Sequence, residues 1–187
     1  MKTFAILLLL SLAVHGSFGQ DVFSNQTNNT LEKVIQQYPN QFRDIRGPLL
    51  SSQSGRTEYK STIGIPGAIA TTIVQSTPAH KNLVSWQSLV YSGAGFDQAR
   101  KRFEELFSQI KNTIVRPESR PVIIDGQYKD PTEEMGSTTI NFDLLPATGP
   151  MQHLSIELTL KNQSGKWNVV LCVTDKDNKD AGSMAAL

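Results

Sequence analysis

Cysteine is almost absent. Cys172 is the only one in the 187 residues, so no intramolecular disulfide can form. Histidine is nearly as scarce. Outside the first 19 residues only His80 and His153 occur, in no H-x-x-x-H spacing and with no neighbouring Cys or carboxylate cluster. That excludes the familiar zinc patterns, and the reading assigns no metal and no cofactor. An excess of charge of one sign is missing too. The chain holds 18 basic and 17 acidic residues, a net charge of +1. Such a balance lacks the electrostatics of phosphate neutralisation, so no nucleic-acid partner is expected. The one long apolar run, Phe4 to Val14, is too short to cross a bilayer comfortably, so no membrane span is expected.

That run has another use. Lys2 supplies a basic start, the apolar stretch follows, and Ser17 and Gly19 place small residues before Gln20. Residues 1–19 therefore read as a secretory signal peptide with cleavage near Gly19, and the mature chain as periplasmic or secreted. Removing Lys2 leaves acidic and basic residues in balance. No Cys follows the run, so no lipid anchor is indicated. Residues 20–29 read as a flexible polar lead-in, 30–175 as one domain, and 176–187 as a disordered tail. Asn25, Asn28 and Asn162 begin N-x-S/T sequons.

The chain between Phe96 and Ile114 carries the clearest signal. Ala99, Phe103, Leu106, Phe107, Ile110 and Ile114 make one apolar stripe at helical spacing, opposite a charged face. Asp97 reads as its N-cap, with Phe96 stapled against the Arg100 or Lys101 stem. Pro117 stops it. An earlier helix runs from Asn29 or Thr30 through Leu31, Val34, Ile35 and Tyr38. Pro39 interrupts it, and Gly47 and Pro48 end it. Alternating segments at 56–65, 68–75, 83–91, 121–128, 138–145, 153–161 and 167–174 read as strands. The expected fold is α+β, in the order α-βββ-α-ββββ. Its antiparallel sheet would carry the helices on one face, with a possible pseudo-repeat.

Several chemistries fail on inspection. Asp175 to Asp180 resembles a calcium loop, but Lys179 and Asp180 stand where an oxygen ligand and a glycine are required. Gly93-Ala94-Gly95 opens a helix, but Asp97 would repel a phosphate there. No G-x-S-x-G elbow occurs.

The segment Pro39-Asn40-Gln41-Phe42-Arg43-Asp44-Ile45-Arg46-Gly47, with Tyr59-Lys60-Ser61, Trp86 and the Phe103-x-x-Leu106-Phe107-x-x-Ile110 pattern, resembles small exported proteins of unassigned function from Gram-negative bacteria of the Bacteroidota type. The match spans about the first two-thirds of the chain and consists of core and turn residues. The resemblance implies export and no activity, and it carries over no site residue.

The reading that follows is an exported, non-catalytic domain binding a protein or a small apolar ligand. The expected pocket lies between the central helix and the sheet, lined by Trp86, Phe103 and Phe107. Two alternatives stand beside it. One is a small secreted hydrolase using His153 or His80 with an aspartate such as Asp125 or Asp143. The other is an assembly protein that docks through the central helix.

Overall fold

The structure, a computed structural model, describes residues 20–77, 83–117 and 120–176, with backbone only for 20–25. Residues 1–19, 78–82 with His80, 118–119 and 177–187 lie outside these. Two helices and nine strands make up the fold: α1 (Gln20–Gln37), β1 (Arg46–Gln53), β2 (Arg56–Ser61), β3 (Ala70–Ser76), β4 (Leu83–Gly93), α2 (Phe96–Ile110), β5 (Thr113–Val115), β6 (Val122–Gly126), β7 (Ser137–Leu145), β8 (Leu154–Gln163) and β9 (Lys166–Asp175).

All nine strands form one antiparallel sheet in the order β1-β2-β3-β4-β9-β8-β7-β6-β5. Each meander runs inward from its edge strand to the centre, and β4 zips to β9 along seven paired positions from Trp86–Val173 to Gly93–Trp167. The chain is thus mostly β, and this corrects the α+β expectation of three strands and then four. Four strands follow α1 and five follow α2. The two unforeseen strands are the edges of the sheet. β1 contains Pro48 and two register shifts, and all its residues are exposed or half-exposed. An edge tolerates proline because one side of the strand needs no N–H donor. An exposed strand also has no buried face, so it leaves no alternation to read.

The second edge explains a misplaced helix end. Ile114 continues the α2 stripe by spacing, but α2 ends at Ile110. Asn112 takes a left-handed φ of 61°, and its N–H donates to the Ile124 carbonyl at 2.8 Å. That reversal sends Thr113–Val115 into the sheet, where Ile114 is 51% exposed. At the other end Gly95 is the N-cap and Asp97 lies in the first turn. Phe96 packs on Trp167 at 4.9 Å between ring centroids, in place of an arginine or lysine stem.

Helix α1 includes the residues read as a polar lead-in. Thr27 is buried, and its hydroxyl donates to Gln109 Oε1 at 2.9 Å. The Thr113 hydroxyl lies 3.0 Å from Asn28 Oδ1. These contacts tie polar residues of α1 to α2 and β5, which sequence periodicity cannot reveal.

The core is a single cluster. Leu31, Val34 and Ile35 of α1 join Ala99, Phe103, Leu106, Phe107 and Ile110 of α2, and with them the inward residues of the central strands. β7 shows the pattern most plainly: Thr138, Ile140, Phe142 and Leu144 are buried and every residue between them is exposed.

Candidate functional site

The sequence candidates occupy the core. Trp86 and Phe103 have no exposed surface, and Phe107 is 8% exposed. The Trp86 indole N–H lies 3.1 Å from both Ser61 Oγ and the Ile63 carbonyl, so its one polar group is satisfied within the fold. Phe107 packs against Tyr128 and Phe142. The apolar stripe of α2 is thereby occupied by its own chain.

A cleft of about 280 Å³ opens elsewhere, where the turns after α1 meet the start of β4 and the end of β9. Its construction is local. Pro39 cannot continue α1, and residues 38–40 tighten into a 3-10 turn. Gln41 and Phe42 then both take positive φ, near 60°. The reversal is held by the Phe42 N–H donating to the Gln37 carbonyl at 2.9 Å. It is also held by the Asn40 amide, 2.8 Å from Gln37 Oε1 and 2.7 Å from Asp44 Oδ2. These bonds turn Phe42 inward, edge-on to Tyr38 at 6.2 Å.

Tyr38, Pro39, Phe42, Leu83, Val84 and Pro150 supply apolar wall, and Gln41, His153 and Asp175 supply polar groups. The Tyr38 hydroxyl donates to Asp175 Oδ2 at 3.0 Å. This joins the end of α1 to the last residue of β9. His153 is exposed at the rim, where its carbonyl accepts from the Lys176 N–H at 2.7 Å. A concave site with apolar walls and a few convergent polar groups is what a small ligand requires, and this volume falls just below the roughly 300–1,000 Å³ of ordinary ligand clefts.

Of the hydrolase candidates, His153 lines the cleft beside Asp175. Asp125 and Asp143 face each other across β6 and β7 and do not line it. His80 lies outside the described residues. The sequence reading missed Tyr38 and Asp175 as site residues. The partnership needs β9 to lie beside β4, and no local pattern states that pairing.

Four ionisable groups elsewhere hold their protons more tightly than usual, Arg100 among them through the charge of Asp130. Burial pushes the Cys172 thiol well up, with the charge of Glu157 adding to it. Burial also raises Glu157, partly offset by the Ser155 hydroxyl at 3.3 Å. Burial first, and then Glu104, pushes Tyr128 up to about 12. Tyr128 belongs to a surface network on α2 in which Arg100 lies 3.0 Å from both Glu104 and Asp130. Among the described residues no cluster of three or more metal-ligating side chains occurs, and no helix is long and apolar enough to cross a membrane. No family model, curated protein or solved structure matches the chain.

Proposed function

We propose that this chain is an exported, non-catalytic binding module. Its cleft beside Tyr38 and Asp175 holds a small ligand with an apolar body. The observation that carries the reading is a cleft that sets the apolar faces of Pro39, Phe42, Leu83, Val84 and Pro150 beside the polar groups of Gln41, His153 and Asp175. The aromatic and proline faces of the wall select for a flat apolar body. Export rests on the leader pattern of residues 1–19 and on the resemblance to exported proteins.

Indole is a suitable probe, being flat, small and equipped with one N–H. Titrated into labelled protein, it should shift the amide resonances of Tyr38, Leu83, His153 and Asp175 saturably. His153→Trp places a bulky ring at an exposed rim position and should abolish those shifts while the rest of the spectrum stays in place. Indole shifts that never saturate, or that survive His153→Trp, would refute the cleft as the binding site.

A further inference from the structure

An apolar row crosses the outer face of the sheet at its β5 end. Ile114 of β5 pairs with Ile123 of β6, which pairs in turn with Leu145 of β7. Their sequence neighbours Val115, Val122, Ile124 and Leu144 belong to the core that the sheet shares with α1 and α2. The period of two in a strand therefore turns the row the other way, away from the helices. Ile114 is 51% exposed, Ile123 43% and Leu145 49%. Single exposed aliphatic residues are ordinary, but three side by side on neighbouring strands form a contiguous patch of the kind that marks an interaction site.

The charges beside the row are ordered. Two residues along the strands on one side, Asp125 and Asp143 pair directly with each other. Two residues along on the other side stands Arg116, exposed between the buried Val115 and Pro117. Because β5 and β6 are antiparallel, Arg116 and Asp125 lie on opposite flanks of the row, about 13 Å apart along the strand direction. They are too far apart to meet within one chain. Two carboxylates directly opposite each other repel, and a cation brought from outside relieves that repulsion.

We propose that this face binds a second copy of the chain, row on row, about a two-fold axis that runs along the row. That axis lays Ile114, Ile123 and Leu145 of one copy on the same residues of the other. It also exchanges the two flanks, so Arg116 of each copy comes over the acidic flank of the other, nearest to Asp125. A two-fold axis along the strands would instead set Asp125 of one copy on Asp125 of the other. An apolar row with opposite charges on its two sides is complementary to itself, and this names a second copy as the partner. Every contact then occurs twice, as in any isologous dimer. Three strands offer less than the roughly 800 Å² per partner of a tight interface, so the dimer exchanges with monomer, with a dissociation constant on the order of 10–100 μM. None of these residues lines the cleft, so the inference stands independently of what the cleft binds.

Sedimentation velocity of the purified protein over a concentration series should show a monomer–dimer equilibrium. Arg116→Asp and Asp125→Arg should each weaken the dimer at least about tenfold, because each reversal brings like charges together at both copies of the contact. The double variant Arg116→Asp/Asp125→Arg restores opposite charges and should return to within about threefold of the parent affinity. Ile123→Lys changes an exposed position, and should leave a monomer with the circular dichroism of the parent. A parent protein still monomeric at about 1 mM, well above the expected dissociation constant, would overturn the inference. A dimer that neither charge reversal weakens would overturn it too, as would a double variant no tighter than the single ones.

Discussion

Replacing Trp86 with alanine tests whether the indole is core or ligand wall. Trp86 lies in β4 between Ile73 of β3 and Val173 of β9 and has no exposed surface. Emptying a fully buried tryptophan site costs about 3–5 kcal/mol through lost transfer energy and the cavity left behind. The lost indole hydrogen bond adds about 1 kcal/mol at most. That increment is small because the Ser61 hydroxyl still donates to the Ile63 carbonyl at 2.7 Å. Against a typical stability of about 5–15 kcal/mol, the loss is roughly a fifth or more. For a domain of this size it corresponds to a melting point lower by roughly 6–20 °C. Trp86→Phe keeps most of the volume and loses the donor, and should cost about 1–2 kcal/mol. Urea denaturation followed by far-ultraviolet circular dichroism measures both. In these variants Trp167 is the only remaining tryptophan, and it reports the transition by fluorescence. A Trp86→Ala protein within about 1 kcal/mol of the parent would refute the reasoning. Lost ligand binding in that stable variant would return Trp86 to the list of site residues.

Tyr128 should titrate above the ordinary tyrosine range by tyrosinate absorbance, since burial and Glu104 raise it from 10.0 to about 12. The folded state holds that proton more tightly than the unfolded chain, so the associated stability is complete below pH 10 and is lost as pH rises from 10 to about 12. Tyr128→Phe should remove that part of the alkaline stability loss, and an unchanged alkaline profile would count against the network. Glu157 has its pKa raised by burial, so its contribution is greatest in acid and is lost as pH rises through the ordinary glutamate range. Glu157→Gln should therefore stabilise the protein at neutral pH by on the order of 0.5–1 kcal/mol, and by less in acid, when thermal melts are compared at the two pH values. Cys172 is 1% exposed with its thiol held protonated, so iodoacetamide should label it only as fast as the chain unfolds. Rapid labelling under native conditions would place β9 at an open surface.

Legibility of the fold tracked the period of the apolar residues. β7 was plain because its apolar residues are buried and those between them exposed, and β8 and β9, though buried on both faces, still place apolar residues at every second position, as a strand requires. The α2 stripe was plain for the corresponding helical reason, up to Ile110. It misled at Ile114, because a spacing of four residues is silent about a backbone that reverses at Asn112. β1 was invisible for the opposite cause: Gly47, Pro48, Ser51 and Ser52 carry loop chemistry, and the strand exists because β2 is there to pair with it. The cleft stood between these cases. Tyr38, Pro39 and Phe42 were visible as a helix with an interruption, but Asp175 looked like the start of a solvated tail.

The sequence alone determined the local grammar of this protein: one cysteine and so no internal disulfide, the leader pattern, most of the strands and the central helix. Each follows from composition or from a period that spans a few residues. Tertiary structure decided what lies beside what. Pairing of β4 with β9 merged two meanders into one mostly β sheet, turned Trp86 into core, and carried Asp175 to Tyr38. Contacts between residues distant in the chain depend on which surfaces remain to be buried once local elements have formed, and no short window of sequence contains that information.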